Sequence, residues 1–88
     1  MREITLTITD KDGVHARPAS DLCKAIAKFD EKIELSYKNR TVNMKSTLAI
    51  MSLAIPKNSD ITIKVTGDKE DSVLDTIVSL FKTLELTD

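Results

Sequence analysis

Residues 4–19 read Ile4-Thr5-Leu6-Thr7-Ile8-Thr9-Asp10-Lys11-Asp12-Gly13-Val14-His15-Ala16-Arg17-Pro18-Ala19, and one hydrophobic period gives way to another within them. Ile4, Leu6 and Ile8 alternate with threonines, which is the period-two pattern of a half-buried strand. Asp10-Lys11-Asp12-Gly13 breaks that strand, Asp-Gly being a strong turn signal. From Ala16 to Phe29 the spacing becomes three and four. Ala19, Leu22, Cys23, Ile26 and Phe29 fall on one side, and Asp21, Lys24 and Lys28 on the other, as in an amphipathic helix. Pro18 sits in the first helical turn, where its missing N–H removes no bond.

Working outward, Ile33, Leu35 and Tyr37 alternate with Glu34, Ser36 and Lys38 and predict a second strand. Lys38-Asn39-Arg40 turns the chain, and Thr41 to Met44 returns as a short third strand, so the pair reads as a hairpin. The apolar run from Ser46 to Leu53 fits a strand or a short helix. Ser46 as an N-cap favours the helix, and Pro56 sets the boundary after it. Ile61, Ile63 and Val65 mark a fourth strand ending at Gly67. Asp68, Glu70 and Asp71 then suit the start of a helix. That helix shows a broad stripe of Val73, Leu74, Ile77, Val78, Leu80, Phe81 and Leu84. The order β-α-β-β-α-β-α, with one apolar face per strand, predicts an α+β open-faced sandwich. Its four-stranded antiparallel sheet would be covered on one face by three helices.

Eighty-eight residues suit a single domain spanning 1–88, with no repeat and no linker. Thirteen basic and fourteen acidic residues leave a net charge of -1, which opposes bulk electrostatic binding to nucleic acid. One Tyr, two Phe and no Trp make a poor base-stacking platform. The single cysteine, Cys23, excludes an intrachain disulfide and falls on the buried helical stripe as a small core residue. No second histidine or suitably spaced cysteine accompanies His15, so no metal site is expected, and no cofactor either. No apolar run is long enough to insert in a membrane, and no signal-peptide core follows Met1, so a cytoplasmic location is expected.

The one constellation able to carry chemistry is Gly13-Val14-His15-Ala16-Arg17-Pro18-Ala19. His15 lies where the turn becomes the helix. The first helical N–H groups lack internal acceptors and carry the positive end of the macrodipole, so the place favours an anion. A phosphoryl group on the imidazole would sit there, with Arg17 able to meet the same oxygens. On composition alone an exposed loop histidine without a role is the plainer reading.

That heptad closely resembles the active-site motif of the HPr family, the histidine-containing phosphocarriers of the bacterial sugar phosphotransferase system. The resemblance extends over the whole chain. It implies that His15 takes a phosphoryl group on Nδ1 from phospho-enzyme I and passes it to the enzyme IIA component of sugar transporters. Arg17 would steady the group. The protein would then be a carrier, worked on by enzymes and not one itself, and is expected to be monomeric. The stretch Asn43 to Leu53 resembles the family's second motif. It implies Ser46 as a serine phosphorylated by HPr kinase/phosphorylase, the modified form assisting a catabolite-control repressor. A plain N-cap is the alternative role for Ser46.

Ala49 and Ala54 stand where many relatives have glycine, which should stiffen the short helix and its exit. Thr47 stands where a larger apolar residue is common, which trims the apolar docking patch. Leu48 and Met51, three apart, are read either as an exposed apolar contact for partners or as core. Arg17, Lys24 and Lys28, at i, i+7 and i+11, share a helix face that could guide acidic partners or simply be solvated. Two other readings compete. A regulatory module acting only through Ser46 is disfavoured by the presence of His15, and a small nucleic-acid-binding domain by the charge balance.

Overall fold

In the computed structural model, which describes residues 1–88, the period-two segments form one sheet and the period-3.6 segments pack on one side of it. The elements are β1 (Arg2–Thr7), α1 (Ala16–Ile26), β2 (Lys32–Tyr37), β3 (Arg40–Asn43), α2 (Thr47–Ser52), β4 (Asp60–Thr66) and α3 (Glu70–Thr83). The strand order is β1-β4-β2-β3, and every pair is antiparallel. The predicted α+β open-faced sandwich is what forms.

Register explains why one face of the sheet needs no cover. Ile4 pairs with Ile63, Ile63 with Leu35, and Leu35 with Val42, so a single apolar rung crosses all four strands. One residue along, Thr5, Thr62, Ser36 and Thr41 make the equivalent rung on the opposite face. Its hydroxyls bond to each other, Thr5 to Thr62 at 3.2 Å and Ser36 to Thr41 at 2.7 Å. The next polar rung is Glu3, Lys64, Glu34 and Asn43. Such cross-strand polar pairs hold a wet face together while the other face packs.

The helices cover the apolar face. Leu22 and Ile26 of α1, Ile50 of α2, and Ile77 and Phe81 of α3 join Ile33, Leu35, Ile61, Ile63 and Val65 in one core. Cys23 is buried there, and its thiol donates to the Met44 carbonyl oxygen at 3.2 Å. No helix is long and apolar enough to cross a membrane.

Three local expectations need correction. The first helix ends at Ile26, not Phe29: the Phe29 N–H bonds back to the Ile26 carbonyl at 3.1 Å in a tight turn. Phe29 still packs against the core, so its spacing reported burial correctly and helix wrongly. The third strand begins at Arg40 and ends at Asn43, because Arg40 pairs directly with Tyr37 around a turn in which Lys38 has φ 54°. Ala54 does not simply stiffen the exit of α2. It sits at φ 50°, a left-handed conformation that an alanine side chain disfavours and glycine does not.

Candidate functional site

Gly13 allows the turn to press against the rest of the chain. Its φ is 65°, and a Cβ there would stand 2.1 Å from the Ile55 carbonyl oxygen. That close approach lets the Val14 N–H donate to the same Ile55 oxygen at 3.0 Å, while the Gly13 N–H donates to the Asp10 carbonyl at 2.9 Å. Val14 is buried in the core. The chain is therefore pinned just before His15, on the segment that leaves α2.

His15 is the N-cap of α1, with extended φ -94° and ψ 177°. Its carbonyl accepts the Ala19 N–H at 3.1 Å, the first bond of the helix. The imidazole makes no capping bond and is 42% exposed. The N–H groups of Ala16 and Arg17 have no acceptor within the chain, and Pro18 has no N–H to offer. No acidic residue stands in the first turn of α1, so nothing on the helix offsets its positive pole. Arg17 is exposed and belongs to none of the ion pairs. An exposed ring, two free donors and a free guanidinium thus share one helix entrance, a combination that suits an anion.

Asp10 is the residue that sequence reasoning passed over, treating it only as a strand breaker. Its Oδ2 lies 3.5 Å from His15 Nε2, and its side chain is 19% exposed. Its Oδ1 accepts the Asp12 N–H at 2.8 Å, which fixes the carboxylate within the turn. The ligand-type atoms of Asp10, Asp12 and His15 lie within 4.8 Å of one another. The expectation of no metal site rested on the missing second histidine or cysteine and had not weighed these carboxylates. The only advance signal was the Asp-x-Asp-Gly turn running directly into the histidine.

Ser46 caps α2, its Oγ accepting the Ala49 N–H at 3.2 Å, and it is half-buried. Beside it, the Lys45 ammonium donates to the Phe29 carbonyl oxygen. Leu48 is 83% exposed, more than any other large apolar residue, whereas Met51 is half-buried against the core. The alternatives left open for the pair therefore divide between them. Lys24 is exposed in the last turn of α1. Lys28 lies beyond the helix end with its ammonium 5.5 Å from the centre of the Phe29 ring. The expected three-residue basic face is thus cut short, because the helix stops before its third member.

His15 lies in no hollow. The two surface hollows, each about 330 Å³, are lined by other residues, among them Glu34, Thr41 and Lys45 in one and Lys28, Glu31 and Ser72 in the other.

Residues 2–83 match the family described as "PTS HPr component phosphorylation site". The chain is similar to a histidine-containing phosphocarrier protein of Mycoplasma, at 33% identity and a TM-score of 0.96, with 99% of each chain covered. It is similar to HPr-C-His from Thermoanaerobacter tengcongensis, at 32% identity and a TM-score of 0.88, covering 100% of this chain and 99% of the other. An HPr dimer from the same organism matches at 33% identity and a TM-score of 0.74, covering 97% and 98%. A monomeric state is therefore not common to all such relatives. The family match across nearly the whole length, on a fold shared at this level, means that the chain belongs to the HPr family, the phosphocarrier proteins of the phosphotransferase system.

Proposed function

We propose that His15 is the phosphoryl-carrying group, charged by phospho-enzyme I and discharged to the enzyme IIA component of sugar transporters. The observation that carries this reading is the exposed N-cap imidazole beside the unpaired N–H groups of Ala16 and Arg17. The Nδ1 lone pair attacks phosphorus, the Nδ1–P bond forms, and the bond to the donor's nitrogen breaks with its electron pair leaving on the donor. The helix N–H groups and the Arg17 guanidinium offer hydrogen bonds to the phosphoryl oxygens. A reactive ring on an open surface suits protein partners that bring their own catalytic groups, and Leu48 and Lys24 supply apolar and cationic contacts for them. The chain acts as one unit over 1–88, in the cytoplasm, as a monomer and without a cofactor.

Ser46 has a second role in this reading, as the target of an ATP-dependent kinase of the HPr kinase/phosphorylase type, its phosphorylated form meeting a catabolite-control repressor. A phosphate at the cap of α2 adds about -1.5 to -2 charges beside the exposed Leu48. Incubation with enzyme I and labelled phosphoenolpyruvate tests the central part. Label is expected on the wild type and not on His15→Ala, and equal labelling of both would remove His15 from its role.

A further inference from the structure

We propose that Asp10 is a positioning residue for His15, holding the proton on Nε2 so that Nδ1 keeps the lone pair that attacks phosphorus. The proposal rests on the phosphocarrier reading of His15 and deepens it. A neutral imidazole has one N–H and one lone pair, and a hydrogen-bond acceptor at either nitrogen selects which is which. Asp10 presents such an acceptor, with Oδ2 3.5 Å from Nε2. That separation is longer than a formed hydrogen bond, as contacts of this kind often are before a partner docks.

The carboxylate is placed there and does not merely drift near. Its other oxygen accepts the Asp12 N–H at 2.8 Å, and the Asp10 carbonyl accepts the Gly13 N–H at 2.9 Å. The turn thus spends Oδ1 on the backbone and leaves Oδ2 facing the ring. The Asp10 side chain is 19% exposed, against 42% for His15, so the acceptor is the more shielded of the two groups. No other side-chain acceptor is paired with the ring. During transfer Nε2 keeps its proton, Nδ1 gains the bond to phosphorus, and the ring becomes cationic. The Asp10 carboxylate then faces that positive charge, while the phosphoryl group attaches to the other nitrogen.

Asparagine separates this role from a structural one. In Asp10→Asn the amide oxygen can still accept the Asp12 N–H and keep the turn, which directs the NH₂ group at Nε2. A donor in that place favours the opposite tautomer. Imidazole ¹⁵N chemical shifts, recorded well above the ordinary histidine titration range, should show mainly Nε2–H in the wild type. The ratio of Nε2–H to Nδ1–H should fall by about three- to tenfold in Asp10→Asn, as one hydrogen bond of ordinary net strength dictates. Asp10→Ala, which offers neither donor nor acceptor, should lie between them. Asp12→Asn should match the wild type.

The rate of phosphorylation by phospho-enzyme I should fall about two- to fivefold in Asp10→Asn with KM for the carrier little changed, since the loss lies in the ring and not in docking. Identical tautomer ratios in wild type and Asp10→Asn, an equal shift in Asp12→Asn, or unchanged transfer despite a shifted ratio would each overturn the assignment. Absence of labelling in the wild type itself would count against the phosphocarrier reading of His15 and would take this role with it.

Discussion

Arg17 stands two residues past His15 with no carboxylate partner and an exposed side chain. A guanidinium free in the resting protein has nothing to give up when an anion arrives. Arg17→Ala should slow phosphoryl transfer by roughly one to two orders of magnitude, since a charge-assisted hydrogen bond is worth about 1.5–3 kcal/mol. Its melting temperature should stay within a few degrees of the wild type, which a thermal scan beside the transfer assay would check. Ser46 is the contrasting residue, because its hydroxyl is already in use as the acceptor for the Ala49 N–H. Ser46→Ala should lower stability by about 0.5–2 kcal/mol through the lost cap, read from the denaturant midpoint, and should still accept phosphate on His15. The place of His15 and Arg17 at a helix start was legible in the sequence, because the turn signal and the helical spacing meet there, while the chemistry expected of them came from the resemblance of the heptad. The contact of Asp10 was not, because the Asp-x-Asp-Gly pattern signals a turn and not that the turn will fold its own carboxylate back onto a ring five residues later.

At the scale of elements, α2 and its exit govern how the site is held. Val14, next to His15, donates to the Ile55 carbonyl, and Ile55 follows Ala54 in its left-handed conformation. Ala54→Gly should raise stability by about 1 kcal/mol, because glycine takes that conformation without the cost of a Cβ. A higher urea midpoint with an unchanged m-value would show it, and a loss of stability would contradict the left-handed exit. The sequence showed an alanine and suggested a stiffer helix. The backbone sign at one residue, which no composition or periodicity encodes, reverses the expected benefit. The end of α1 was missed for a related reason. Phe29 keeps the spacing of a buried helical residue yet packs half-buried against the core from a turn, so the contact survived where element type did not.

At the scale of the molecule, the pattern of the strands set nearly everything. Alternation places Ile63 in the central rung between Ile4 and Leu35, fully buried, while its neighbours Thr62 and Lys64 face water. Ile63→Ala should cost about 2–5 kcal/mol, a large share of what a domain of this size has to lose, and should lower the thermal midpoint accordingly. Strand order was the part that alternation left open, since it specifies faces and not neighbours. Charge acts at this scale too. With a net charge of only -1, a local phosphate on Ser46, as proposed, would matter more to a docking partner than to the fold. Ser46→Asp should therefore reduce phosphorylation by enzyme I with a near-normal melting temperature. The inhibition should weaken at high salt, because exposed charges are screened over about 10 Å at 0.1 M. Inhibition that persisted undiminished at high salt would point to a packing change instead.

The claim that this chain carries a phosphoryl group, and does not merely accept one, is tested most directly by discharge. Protein labelled through enzyme I and then freed of it should transfer its label to an isolated enzyme IIA domain, leaving the carrier unlabelled. Before transfer the label should be acid-labile and base-stable, as a phosphoramidate on His15 requires. Label that resists acid, or that stays on the chain in the presence of the acceptor, would contradict the phosphohistidine relay.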